Sequence, residues 1–149
     1  MSKAENVLTA DIKGVFFSKD TLSKIGEYVV KQAKMETILN AGGKATAISE
    51  KISYEIDEKN NKVIINVDSP YATALEFGSK PHVIKPKPGK KLLSWEVKEV
   101  SKFSSAMDKK LGDWFYFKSV KHPGSQPQPF LRKAIQKFKL NASEILNSK

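Results

Sequence analysis

The sequence predicts an α+β fold: long N-terminal and C-terminal helices packed on a mostly antiparallel sheet of about four strands. Three observations carry this. Apolar residues recur at helical spacing after Thr21 and again after Phe130. Between them lie short β-rich runs separated by polar or proline-containing turns. The third is the order these signals give: helix, hairpin, short helix, strand, inserted helix, strand, elbow, helix. With 149 residues and 40% hydrophobic composition, the chain suits one domain, 1–149, with a core that needs no metal or disulfide. Cysteine is absent, which excludes thiol nucleophiles and thiolate metal sites. No apolar run is long enough to span a bilayer, and MSKAENVLTADIK lacks the apolar segment of a secretory signal, so a soluble protein made in a cytoplasm is expected.

Residues 1–17 read as an N-terminal arm, in which Val15-Phe16-Phe17 is either a short strand or an apolar anchor. Ser18 and Asp20 are both good N-caps for the helix that follows. Leu22, Ile25, Val29 and Ala33, then Ile38 and Leu39, are read as one helical face, stopped by Gly42-Gly43 after about five turns. Residues 44–50 read as a polar connection. Ile52, Tyr54 and Ile56 alternate with polar residues, and a second run, Val63 to Val67, follows Glu58-Lys59-Asn60-Asn61. Together they predict a hairpin whose turn asparagines accept a left-handed φ, with the second strand covered on both sides.

Ser69-Pro70 ends that strand. Tyr71 to Phe77 predicts a short helix closed by Gly78. Glu76, near its end, is read as a solvated carboxylate in preference to an ion pair with a neighbouring subunit's lysine, because exposed pairs gain little. Residues 80–91 form a proline- and lysine-rich extended loop. Lys91 to Val97 predicts a strand with Leu93, Trp95 and Val97 on one face. Val97, Val100, Met107 and Leu111 then fall at near-helical spacing, which makes 98–113 a helical insertion. The strand Trp114 to Val120 leads into an elbow at His122-Pro123-Gly124, where three prolines, Pro123, Pro127 and Pro129, hold the chain extended. Pro129 stands at or near the first position of the last helix, where its missing N–H costs nothing. Phe130, Leu131, Ala134, Ile135, Phe138, Ala142 and Ile145 form that helix's apolar stripe.

Two segments carry a resemblance. Tyr71, Ala72, Glu76, Phe77 and Gly78 form the first, and His122, Pro123, Gly124, Gln128, Pro129, Phe130, Leu131, Arg132 and Ala134 the second. In order and spacing they resemble the tail-component family of long-tailed bacteriophages, the neck and tail-completion proteins that help join heads to tails. The resemblance spans roughly residues 20–140, and the insertion at 98–113 departs from the family pattern. It implies a virion structural protein of the head–tail junction, made in the host cytoplasm and acting as a ring-like oligomer. Its partners would be other copies of itself, neighbouring neck or tail proteins, and DNA passing non-specifically through the ring. It implies no enzyme activity, cofactor, membrane or small-molecule substrate.

The net charge of +10 is unevenly spread. Residues 1–79 hold ten basic and eleven acidic residues, and residues 80–149 sixteen and five. Lys80, Lys85, Lys87, Lys90 and Lys91 are the densest basic run and the candidate contact for DNA or an acidic partner. Arg132 is the only arginine, and lysine reads bases poorly, so phosphate attraction without sequence readout is expected. A non-catalytic basic nucleic-acid-binding protein is therefore the alternative reading. Against it, most aromatics, including Phe130 and Phe138, fall on core-facing stripes, whereas stacking platforms need them exposed. His82 and His122 each adjoin a proline and lack further ligands at workable spacing, so no metal site is expected. His122 is expected to fix the elbow through a backbone hydrogen bond. Asp57 and Asp68, at strand ends, have no strand-borne Glu-x-Lys partner and read as turn residues, not a nuclease pair.

Overall fold

The computed structural model describes residues 4–8, 16–41 and 46–148, with 4–8, 40–41 and 46 described by backbone alone. Val15 and Gly42-Gly43 lie outside the described residues. Helices and strands both contribute, as an α+β chain requires, in the order β1 (Ala4–Leu8), α1 (Lys19–Ala41), α2 (Thr46–Ser49), β2 (Ile52–Asp57), β3 (Lys62–Val67), α3 (Ala72–Phe77), β4 (His82–Ile84), β5 (Leu93–Glu96), α4 (Lys102–Ala106), β6 (Trp114–Phe117), β7 (Val120–His122) and α5 (Leu131–Asn147). The chain gathers into two compact units. One combines Met1–Ser79 with Ser125–Lys149; the other is Lys80–Gly124. The predicted four-stranded sheet is replaced by an antiparallel three-stranded sheet, ordered β1-β3-β2, and two separate antiparallel pairs, β4-β7 and β5-β6. Prolines explain the break: Pro81, Pro86 and Pro88 bracket β4 and withhold the N–H groups that a continuous ladder would need.

In the first unit, Ser18 caps α1 by accepting a hydrogen bond from the Thr21 amide (3.3 Å). Leu22, Ile25, Val29 and Ala33 are buried as the stripe requires. Ile38 and Leu39 are not: they are 53% and 73% exposed. The period explains the correction, since positions five and six beyond Ala33 lie well off the stripe at about 100° per residue. The buried positions there are Glu36 and Thr37. Glu36 is held by Lys137 (2.6 Å) and Lys133 (3.7 Å) of α5, and the Thr37 hydroxyl donates to the Ala33 carbonyl (2.7 Å).

The polar connection also needs correcting, because Thr46–Ser49 is one helical turn that sends Ile48 into the core. The hairpin forms as predicted, with Ile52 opposite Val67 and Asp57 opposite Lys62, and Asn61 takes a φ of 53° in its turn. Asp57 accepts from the Asn60 amide (3.1 Å) and side chain (2.6 Å). β3 is central, paired on its far side by β1, whose polar composition hid it. Val63, Ile65 and Val67 are buried, while Ile64 and Asn66 on the opposite face are half-buried, so cover there is only partial. Phe17 is the anchor of the arm, packing on the core while its amide donates to Asn61 Oδ1 (3.1 Å); Phe16 is exposed. Phe130, Leu131, Ala134 and Phe138 of the last stripe join the same core, with Ile135, Ala142 and Ile145 packed at its margin.

The second unit has its own small aromatic core. β5 and β6 pair Leu93 with Phe117 and Trp95 with Phe115. Trp95 lies 5.3 Å from Phe115 and 5.6 Å from Phe117, and Phe103 of α4 lies 5.3 Å from Phe115. The inserted helix is shorter than 98–113. It runs only Lys102–Ala106, set by a capping box between Ser101 and Ser104. Of the stripe predicted for it, Val97 is buried but Val100, Met107 and Leu111 are exposed, because Val100 precedes the helix and Met107 and Leu111 follow it, so they share no helical face.

Candidate functional site

The two segments that carry the resemblance are far apart in sequence; the first meets Gln128 to Ala134 of the second in the first unit, whereas His122, Pro123 and Gly124 belong to the second unit. α3 ends at Gly78, whose φ of 75° and ψ of 177° suit only glycine. A Cβ there would stand 2.6 Å from the Ser125 carbonyl oxygen and 2.9 Å from the Pro127 nitrogen. This close approach lets Ser79 and Ser125 exchange two backbone hydrogen bonds of 3.0 Å, and lets the Gln128 amide donate to the Leu75 carbonyl (2.7 Å). The extended prolines Pro127 and Pro129 then deliver Phe130 to the start of α5.

Glu76 is the centre of this junction. The sequence offered a solvated carboxylate or an intersubunit ion pair; the structure has neither. Glu76 is 2% exposed, and Oε2 accepts from the amides of Phe130 (2.8 Å) and Leu131 (2.9 Å). Oε1 accepts from the Arg132 amide (3.1 Å) and from Arg132 Nε (2.9 Å), while an Arg132 terminal nitrogen donates to the Glu76 carbonyl (2.8 Å). The reason is local. Phe130 at the N-cap has no side-chain acceptor, and Pro129 before it offers none, so three orphan amides of the first turn need an acceptor from elsewhere. A carboxylate at a helix N-terminus also matches the positive end of the helix dipole. The Arg132 guanidinium lies over the Phe77 ring, 5.2 Å from its centroid.

The remaining residues of the first segment divide cleanly. Ala72 is buried under the core, whereas Tyr71 and Phe77 are exposed. In the second segment, Phe130 is fully buried.

Within the second unit, Lys80, Lys85, Lys87, Lys90 and Lys91 are all exposed. The extended loop is partly a strand, since His82 to Ile84 pair with Val120 to His122. His82 and His122 face each other across that ladder with ring centroids 4.9 Å apart. His82 Nδ1 donates to the Lys80 carbonyl (2.8 Å), and His122 Nδ1 accepts from the Gly124 amide (3.1 Å). The second bond holds the elbow in the manner expected of His122, with Gly124 at a φ of 87°. Pro123 follows directly in the turn. Among the described residues, no three His, Asp or Glu side chains gather as a metal site would require.

Asp57 and Asp68 sit at opposite ends of the β2-β3 hairpin, about 20 Å apart along the strand, too far to share an ion. The hydrogen bond from the Asn60 side chain, with that from its amide, holds the Asp57 carboxyl below its usual range. At the other end of the unit's charge scale, the Glu58 carboxylate hydrogen-bonded to Lys19 (2.7 Å) raises that lysine.

Two further features escaped the sequence reading. One is the buried Glu36 with its two lysines; its signal was position, three residues past Ala33 on the stripe. The other is aromatic exposure. Phe130 and Phe138 are buried, but Trp114, Tyr116, Phe103, Tyr71 and Phe77 are each more than two-fifths exposed, so aromatics are not confined to the core. Comparison with known protein families, characterised proteins and solved structures finds no match to this chain.

Proposed function

We propose that the chain is a non-enzymatic structural subunit of the bacteriophage head–tail junction, a neck or tail-completion protein that works in the virion as a ring-like oligomer. The observation that carries this reading is the union of the two resembling segments. The resemblance rests on residues within Tyr71–Gly78 and within His122–Ala134, and Glu76 of the first is the acceptor for the helix opened by the second. Such a pair would be kept together as a single architectural device, which suits an assembly subunit better than a reaction centre. Charge supports the same reading. The unit Lys80–Gly124 holds eleven lysines and four acids, a surface suited to an acidic neighbour or to passing DNA. Tyr71 and Phe77, exposed beside the buried cap, are aromatic anchors of the kind that subunit contacts use.

The test is electron microscopy of lysates from the parent phage with this gene silenced. Heads accumulating apart from tails are expected; normal infectious virions would overturn the proposal. A milder perturbation reverses charge at Lys85, Lys87, Lys90 and Lys91. Particles that then fail to assemble or lose their genomes fit the lysine-rich run as a contact, and unaltered particles would remove it from the interface.

A further inference from the structure

The second unit has an outer face that its small core does not use. On β6, Phe115 and Phe117 turn inward to stack on Trp95 and Phe103. Strand alternation therefore sends Trp114 and Tyr116 to the other face. There they are 46% and 60% exposed, two residues apart and so about 7 Å along the strand. Their cross-strand neighbours are Glu96 and Ser94, both exposed and neither large enough to cover a ring. Among the described residues, Trp114 and Tyr116 stack on no other aromatic ring, and the Tyr116 hydroxyl has no hydrogen-bond partner.

Lysines flank this face at both ends. The antiparallel register puts Lys91 and Lys118 beside the Leu93–Phe117 end, and Lys98 and Lys110 beside the Glu96–Trp114 end. All four are exposed, and the unit's charge is +7 without one arginine. Lysine is depleted at the centre of protein–protein contacts, whereas open rings between phosphate-seeking cations are the two parts of a single-strand site.

We propose that the outer face of the β5-β6 pair binds single-stranded nucleic acid, with bases stacked on Trp114 and Tyr116 and the phosphate chain held by the flanking lysines. Lysine without arginine tracks a backbone and does not read bases, so binding is sequence-tolerant. Glu96, opposite Trp114, is a charge on the face that opposes the ligand, and Glu99 and Asp113 lie at the same end as Lys98 and Lys110. The inference rests on this face alone and is independent of the head–tail reading.

The experiment uses the full chain and a short fluorescein-labelled oligothymidylate, read by anisotropy and tryptophan quenching across a salt series, with a duplex of equal length beside it. The single strand is expected to bind more tightly than the duplex, to quench tryptophan, and to weaken as salt rises with a slope of about −0.7 per phosphate contact. Trp114→Ala and Tyr116→Ala should each weaken binding about fivefold or more. Trp114→Phe should keep most of the affinity, and Glu96→Gln should tighten it. The last two variants leave the fold intact, so the proposal stays testable if the truncations do not fold. Three results would each overturn it: no binding at low salt, duplex binding as tight and insensitive to Trp114→Ala, or preference for polyglutamate over the oligonucleotide. The last would make an acidic protein the occupant.

Discussion

Replacing Glu76 is the most demanding test of the α3–α5 junction. Its carboxylate serves three first-turn amides and one guanidinium nitrogen at 2.8–3.1 Å while almost wholly buried. In Glu76→Ala the amides of Phe130 and Leu131 lose their acceptor in a buried setting. Each such loss costs about 1–3 kcal/mol, and removing one partner of a buried charged pair costs about 3–5 kcal/mol. The Arg132 share is discounted, because its side chain is 53% exposed and solvent screens it. A loss of about 3–5 kcal/mol is therefore expected for alanine. Glu76→Gln keeps the shape but turns a donor towards donors and removes the charge facing the helix dipole, so about 2–3 kcal/mol is expected. Domains of this size have only about 5–15 kcal/mol to lose, so glutamine is the variant that should still fold. The assay is urea unfolding at neutral pH followed by helical circular dichroism, with the slope compared between proteins to verify that one transition is being measured. Glu144→Gln, on the exposed side of α5, is the control and should move stability by less than about 0.5 kcal/mol. If Glu76→Gln were as mild as that control, the carboxylate would not be the cap and the junction reasoning would fail.

Three further outcomes follow from the same geometry. Phe130→Ala should lower stability by about 3–5 kcal/mol, since its ring is fully buried; an unchanged melting curve would contradict that burial. Gly78→Ala should cost at least about 1–3 kcal/mol, because the backbone conformation is nearly exclusive to glycine and the added carbon meets the Ser125 carbonyl; thermal unfolding decides it. The Asp57 carboxyl is depressed below its ordinary value of 3.8, so its contribution is present above that pH and disappears as pH falls through the lower folded value. Urea midpoints between about pH 2 and 5 should therefore fall less steeply in Asp57→Asn than in wild type, and parallel curves would refute the assignment.

How much of this was readable in the residues depends on whether the determining contact was local. The stripe Leu22, Ile25, Val29, Ala33 obeys one helical period and was readable; Ile38 and Leu39 looked apolar but sat at the wrong angle. The hairpin turn was readable because Asn60-Asn61 has few alternatives, and the left-handed φ fell on Asn61. β1 was not, because Ala4, Glu5 and Asn6 owe their strand to the partner β3 and not to their own propensity. The run Trp114-Phe115-Tyr116-Phe117 is apolar at every position, so periodicity could not say which rings face out; only pairing with Trp95 decides it. Glu76 was the deepest miss. Its partners lie 54 to 56 positions away, and nothing local distinguishes a buried cap from a solvated acid.

The Ser79–Ser125 bridge also bears on the order in which the protein can be made. The first unit is interrupted: 45 residues of the second are translated between α3 and the helix that α3 caps. Until that stretch has left the ribosome, the nascent chain holds a finished β2-β3 hairpin beside an α1 whose apolar stripe lacks its α5 cover, and a Glu76 whose donors do not yet exist. Closing so long a loop is an entropic cost met before any of those contacts repay it. The lysine-rich unit, built from contacts among its own residues, can reach its final form first. Completion of the larger core therefore waits on α5, whose first-turn amides have their acceptor in Glu76.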